Sequence, residues 1–233
     1  MVGPNINEIA LPLFLLSAIS IDAMSSDSLQ EWPHQCDNVS VTKEDTELNR
    51  MPSISLEKAD INQQLAIKKI SNGPRGCIFG PFSVMLYSPE ILNRVQSVGE
   101  YIRFYSIIPK PLRELAILVT GREAQSPYEW YIHEPIALQS GVTKETVEFL
   151  AKKERPPQLS VDETIVYDFV TEINANKIVS DKTYNSLKSR FGEKGVVELT
   201  ALIGYFTLLG QQLNVARTPI PEGVNVPFKA PWK

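Results

Sequence analysis

The chain has 233 residues, of which 43% are hydrophobic and 21% are charged, as expected for a folded domain with a buried core. Its formal net charge is −4, and no basic stretch is interleaved with aromatic residues, so we expect no nucleic-acid partner. Two cysteines and two histidines, in no zinc-ligand spacing, predict no metal site.

The two cysteines, Cys36 and Cys77, lie far apart and form no Cys-x-x-Cys motif. Free buried thiols are the expected state of such cysteines in a cytosolic protein. A single disulfide is the alternative.

Residues 1–50 are predicted to be an N-terminal extension. Its apolar segment, Ile9 to Ile21, has the length of a signal-peptide core, but Glu8 precedes it instead of a basic residue and Pro12 interrupts it. The segment is too short to span a bilayer. We therefore expect a retained segment in a cytoplasmic protein without a membrane span. Export, with residues 1–25 acting as a weak signal peptide, is the alternative.

Residues 51–217 show helical signals almost throughout. Ser55 is predicted to cap a helix that runs towards Ile70. A loop is predicted over residues 71–82, "SNGPRGCIFGPF", which hold three glycines and two prolines. Ser88 and Pro89 then begin a helix whose apolar residues recur with the 3.6-residue helical period.

Pro109 ends that helix, and Pro111 begins another that carries Glu114. Ser126 opens the next helix, and Gly141 stands where a left-handed C-terminal cap is expected. The later predicted helices are a short one capped by Thr143, one from about Val161 to Asn176, and one from Asp181 to Phe191 that Ser180 caps and Gly192 ends.

Residues 193–215, "EKGVVELTALIGYFTLLGQQLNV", are apolar nearly all round, which predicts a buried central helix. Residues 218–233 are rich in proline and are predicted to lie extended over the surface. No stretch alternates apolar and polar residues as a strand does, so the fold class is predicted to be all-α.

The stretch "SPYEWYIHEP", residues 126–135, supports two interpretations. Ser126 can cap the helix, Pro127 suits its first position, and Glu129 completes a capping-box pattern. Glu129 also lies four residues before His133, so both side chains are on one helix face. Pro135 removes a hydrogen bond inside the helix, which either opens it towards a cavity or bends it around the core.

Glu114 occupies an otherwise apolar helix, "PLRELAILV". Burial there should raise its pKa unless a cation compensates. A salt-bridged glutamate at an interface is the structural alternative for Glu114, as helix capping is for Ser126.

Three segments, "GPFSVMLYSPEI", "LRELAILVTGREAQSPYEWYIHEPIALQSGV" and "GVVELTALIGYFTLLGQQLNV", resemble the carboxymuconolactone decarboxylase-like branch of the alkylhydroperoxidase D (AhpD) superfamily. The likeness covers roughly residues 52–225. Its most specific motif is the E-x11-S-x2-E-x3-H spacing of Glu114, Ser126, Glu129 and His133. The resemblance implies an AhpD-like helical fold, homo-oligomers of three or more subunits, and a pocket near the subunit contacts.

The chain departs from the peroxidase members of that superfamily, which carry Cys-x-x-Cys where Ser126 and Glu129 stand here. Peroxide reduction of that type requires a thiolate and a resolving thiol. The resemblance therefore favours the decarboxylase-like branch over a peroxiredoxin-like antioxidant.

The main hypothesis is a cofactor-free enzyme that moves protons on a small carboxylated or lactone substrate. His133 would donate or accept the proton, Glu129 would orient it, and Glu114 would be a second proton-handling group, with Ser126 beside them. Two acids near one imidazole should raise the pKa of His133. The predicted substrate contacts are Phe82, Arg103 and Trp130. The alternatives are a peroxidase that uses Cys36 and Cys77, and a non-catalytic oligomeric binding module.

Overall fold

A computed structural model describes residues 43–233, and over this range the chain is all-α, as predicted, without a strand. The apolar segment at residues 9–21 and Cys36 lie outside the described residues. The helices are α1 (Lys43–Leu48), α2 (Ile61–Ser71), α3 (Pro81–Met85), α4 (Pro89–Phe104), α5 (Lys110–Glu123), α6 (Pro127–Ser140), α7 (Lys144–Ala151), α8 (Val161–Asn176) and α9 (Asp181–Ala216).

Helix α9 is the centre of the fold. It packs against α3, α4, α5, α6 and α8, and its apolar residues Leu199, Leu202, Phe206 and Leu213 are buried. At Gly192 the backbone leaves the helical region, with φ 67° and ψ −179°, so α9 consists of two helical pieces joined at the predicted stop. The second piece is the predicted central helix.

Among the described residues, α9 is the helix whose length and apolar composition would suffice to cross a membrane. Half of its most apolar window is buried within the fold, and the central helix of a globular core meets the same criteria.

The predicted caps at Ser126, Thr143 and Ser180 are confirmed, since each side chain accepts a hydrogen bond from a backbone amide of its helix. Gly141 has the expected left-handed conformation, with φ 111°. These local signals set where α6, α7 and α9 begin and where α6 ends.

Two predicted boundaries were wrong. The helix predicted from Ser55 begins at Ile61, because Asp60 caps it and forms a reciprocal capping box with Gln63, which satisfies more amides than Ser55 would. The loop predicted over residues 71–82 ends earlier, because Pro81 occupies the first turn of the short helix α3.

The C-terminal tail, residues 218–233, has no helix or strand and is mostly exposed or half-buried, with Phe228 packed against α6. The ring of Phe228 meets the Trp130 indole edge to face, with 5.6 Å between centroids, and the Arg122 guanidinium lies 4.3 Å from the Phe228 ring centroid. The tail therefore covers α6 on the side where Trp130 is buried.

Cys77 is disulfide-bonded, so the expectation of a free thiol was wrong for this residue. Cys77 is half-buried in the loop between α2 and α3, where a bond partner can reach it. The other cysteine of the chain is Cys36.

We predict that Gly192→Ala lowers the free energy of unfolding by about 1–3 kcal/mol, because side chains rarely adopt the backbone conformation at Gly192. Gly204→Ala is the matched control, since Gly204 lies in regular α9 helix with open space around it. That variant should be more stable than the wild type by about 0.5–1 kcal/mol. Urea unfolding measures both, and equal effects would show that the break at Gly192 is not required.

Candidate functional site

Helices α5 and α6 form an antiparallel pair that sets Glu114 against His133. The short connection between them is fixed by Gln125, which has φ 50°, and by the Ser126 cap. Gly121 lets α6 approach, since a Cβ there would lie 3.2 Å from Glu129 Cβ. As a result, Glu114 Oε2 is 2.8 Å from His133 Nδ1, with both side chains buried.

This hydrogen bond determines the tautomer of the imidazole. Burial raises the pKa of Glu114, but His133 and the Arg103 guanidinium outweigh burial and hold that pKa below its usual range. Glu114 is therefore ionised and can only accept, so His133 Nδ1 must carry the proton. The lone pair of the neutral ring then lies at Nε2.

Glu129 faces that lone pair. Its Oε2 atom is 3.6 Å from His133 Nε2. Burial raises the pKa of Glu129 to about 8, because the opposing effects of Arg103 and Arg75 are smaller. At neutral pH Glu129 is thus a protonated acid beside a basic nitrogen.

The expected rise in the pKa of His133 was wrong. Burial lowers this pKa, and the charges of Arg103 and Arg75 add to burial, so that together they exceed the opposing effect of Glu114. The proton shared by the Glu129–His133 pair therefore resides on Glu129.

Two guanidinium groups complete the polar part of the site. Arg103, on α4, is buried with an Nη2 atom 3.8 Å from Glu114 Oε1. Arg75, in the loop before α3, is also buried, and its guanidinium lies 4.5 Å from the centroid of the Phe82 ring. Burial lowers the pKa of Arg75 to about 10, which leaves it charged at neutral pH. With Glu114 as the one ionised acid of this group, the site carries net positive charge.

These side chains border a cavity of about 20 Å³, enough for one water-sized group. Each lining residue is buried except Tyr128, which is half-buried. The lining consists of Arg75, Phe79, Pro81, Phe82, Arg103, Tyr128, Glu129, Ile132, His133, Tyr205, Phe206 and Leu209.

The structure brings together Glu114, Glu129 and His133, as the spacing predicted, and places Phe82 and Arg103 in the same lining. Glu114 makes the short contact with His133 Nδ1, whereas Glu129 lies 3.6 Å from Nε2 and lines the cavity.

Ser126 and Trp130 are not brought to the cavity. Ser126 is fully buried, caps α6 and packs beside Gly210 of α9, so the capping interpretation is the one that its position supports. The Trp130 indole donates to Glu134 Oε2 at 2.9 Å and packs on Phe228. The capping box predicted for Ser126 and Glu129 is half formed, because the Glu129 side chain points to His133 instead of the helix start.

Sequence reasoning missed Arg75 and Tyr205. Arg75 stood in a stretch that was interpreted as a loop, and Tyr205 in a helix that was interpreted as core. One signal was Gly99, inside the regular helix α4, because a glycine in a helix often marks a close approach. A Cβ at Gly99 would lie 2.0 Å from the Tyr205 hydroxyl and 2.8 Å from Arg75 Nη2.

Comparison with protein-family models and with curated proteins gives no match for this chain. Across residues 43–233, no group of three or more histidine, cysteine or acidic side chains is arranged to hold a metal ion.

We predict that Glu129→Gln makes stability less dependent on pH. The pKa of Glu129 is about 8 in the folded chain against an ordinary value of 4.5, so the folded state binds the extra proton between these values. The stability from this group is complete below pH 4.5 and is lost as the pH rises through about 8. Between these pH values, the free energy of unfolding of the wild type should fall by on the order of a few kcal/mol more than that of the variant.

Urea unfolding across the same pH range measures this difference. The matched control is Glu145→Gln, at an exposed position in the first turn of α7, which should follow the wild-type profile. An unchanged pH profile in Glu129→Gln would show that Glu129 does not hold the proton.

We also predict that Glu114→Ala destabilises the fold by about 3–5 kcal/mol, because it removes the buried carboxylate that accepts from His133 Nδ1 and pairs with the Arg103 guanidinium. Glu114→Gln keeps an acceptor for His133 Nδ1, so its free energy of unfolding should fall less than that of Glu114→Ala. Glu90→Ala is the control, since Glu90 pairs with Arg94 on the surface at 3.1 Å and should cost less than about 0.5 kcal/mol. Equal losses at positions 114 and 90, measured by urea unfolding, would contradict the buried role of Glu114.

Proposed function

We propose that the chain is a cofactor-free proton-transfer enzyme that acts on a small carboxylated or lactone substrate, as the resemblance to carboxymuconolactone decarboxylase-like proteins implies. One observation carries the proposal. A protonated carboxyl group at Glu129 faces the basic nitrogen of His133 in a buried cavity that two guanidinium groups also line. An acid (Glu129), a base (His133) and two cations thus line the same cavity.

The proposed reaction is decarboxylation followed by protonation of carbon. The bond between the carboxylate carbon and its neighbour breaks, CO₂ leaves, and the electron pair stays on the conjugated remainder as a dienolate. Glu129 then gives its proton to carbon, and a proton from water restores Glu129 through His133. General acid catalysis of this kind contributes about 10²–10⁴-fold.

The positive lining supports the charged stage of this reaction. The dienolate carries negative charge that preorganised donors in a dry site stabilise better than water does. Arg103 is suited to this role because its ion pair with Glu114 fixes its position beside the imidazole.

We further propose a homo-oligomer with a pocket near its subunit contacts. Its support is an apolar surface on α4 and α9, which run side by side. An exposed apolar stripe of this kind favours association between subunits. The stripe comprises Ile91, Val98 and Tyr101 on α4 and Val197, Leu208 and Val215 on α9.

A second candidate function is a non-catalytic binding module, which the small cavity favours. A volume of about 20 Å³ holds one water-sized group, so neither a carboxylate nor a lactone ring enters unless lining residues move. The peroxidase alternative has less support, because Cys77 is in a disulfide and does not line the cavity. That disulfide also supports an oxidising compartment over the expected cytoplasm.

We predict that the purified chain releases CO₂ from a carboxylated muconolactone and places a solvent deuteron on the product carbon. His133→Ala and Glu129→Gln should each lower kcat at least about 10²-fold. Glu145→Gln, away from the cavity, should be unchanged. The measurements are CO₂ release and product NMR in deuterated water. Equal CO₂ release from the wild type and His133→Ala would contradict the proposed function and leave the binding module.

A further inference from the structure

We propose that Arg75 Nη2 and the Tyr205 hydroxyl form a binding subsite for one carboxylate of the ligand. This inference deepens the proposed function and rests on it for the identity of the ligand as a substrate. The subsite itself rests on two buried donors that lie close together, on residues of the cavity lining.

The guanidinium of Arg75 is held in place but incompletely bonded. Its plane lies on Phe82, and its Nε donates to Gln96 Oε1 at 3.4 Å. Gln96 is fixed in turn, since its Nε2 donates to Glu100 Oε2 at 2.9 Å. In the described part of the chain, Nη2 is buried and has no hydrogen-bond acceptor. Arg75 is only 4% exposed, so its Nη2 depends on a protein or ligand acceptor more than on bulk water.

The Tyr205 hydroxyl is the second such donor. It is buried and, within residues 43–233, has no hydrogen-bond partner. Arg75 Nη2 and this hydroxyl converge at the space that a side chain at position 99 would occupy. Glycine at this position therefore leaves room for two unsatisfied donors close together, on two residues that also line the cavity.

Two converging donors, one of them cationic, match the two oxygens of a carboxylate. A charged hydrogen bond from arginine to carboxylate is about twice as strong as a neutral one. Phosphate has more oxygens and a larger charge. The cavity holds one water-sized group, so a ligand carboxylate reaches the two donors only when lining side chains move. The net positive charge of the lining favours an anionic group as well.

The subsite also places the rest of the ligand. Glu129 and His133 line the same cavity as Arg75 and Tyr205, so a carboxylate held at the subsite leaves the adjoining carbons next to the acid–base pair. A ligand with one carboxylate at the subsite and its reacting carbon beyond would use both parts of the cavity.

The test compares γ-butyrolactone-γ-carboxylate with the neutral γ-hydroxymethyl-γ-butyrolactone, using isothermal titration calorimetry of the full chain. We expect the wild type to bind the carboxylate at least about tenfold more tightly than the alcohol. Arg75→Met should remove this preference and Tyr205→Phe should weaken it several-fold. Arg75→Lys should restore part of it, because lysine supplies the charge with a different donor geometry.

Thermal unfolding separates this role from a structural one. Tyr205→Phe removes a buried hydroxyl without a partner, so it should not lower Tm, whereas a supporting role of that hydroxyl in the fold would lower it. Arg75→Met also removes the bond from Nε to Gln96 and the contact with Phe82, so some loss of Tm is expected there and its readout is the binding preference. Arg103→Met is the comparison variant, because Arg103 is the other arginine of the cavity lining and lies on α4.

A carboxylate preference that survives in Arg75→Met, or that is lost only in Arg103→Met, would overturn the subsite. Equal or absent binding of both lactones by the wild type would overturn it as well. Carboxylate binding that depends on Arg75, without CO₂ release, would support the subsite and contradict the proposed decarboxylation.

Discussion

The hydrogen bond between Glu114 and His133 is the interaction on which the site depends. It joins α5 to α6 inside the core and places the imidazole proton on Nδ1, so that the basic nitrogen faces Glu129. Burying an ion or an imidazole costs several kcal/mol unless partners compensate, and Arg103 supplies part of that compensation from α4. Side chains from α4, α5 and α6 thus fix the proton of His133 on Nδ1.

The sequence predicted the fold where local rules decide the structure. Helical periodicity, the caps at Ser126, Thr143 and Ser180, and the stop at Gly192 each depend on neighbours within a few residues. The boundary at Ser55 was wrong because Asp60 offered a better cap. The packing of Phe228 on Trp130 depends on residues almost a hundred positions apart, which no local pattern indicates.

The same distinction separates the predicted part of the site from the missed part. Glu129 and His133 share a helix face, and Glu114 precedes them at a spacing that the resemblance identified. Their roles and pKa values could not be predicted, because these depend on burial and on which nitrogen each carboxyl group meets. Arg75 and Tyr205 come from a loop and from another helix, so only the tertiary fold brings them together.

Gly99 has a consequence for how such a site can diverge. Because Arg75 and Tyr205 occupy the space beside its Cα, a methyl group at this position requires at least one of them to move or change. The three positions should therefore covary: homologues with alanine or a larger residue at 99 should also differ at 75 or 205. Positions 75, 99 and 205 would therefore change together during evolution, independently of Glu114, Glu129 and His133.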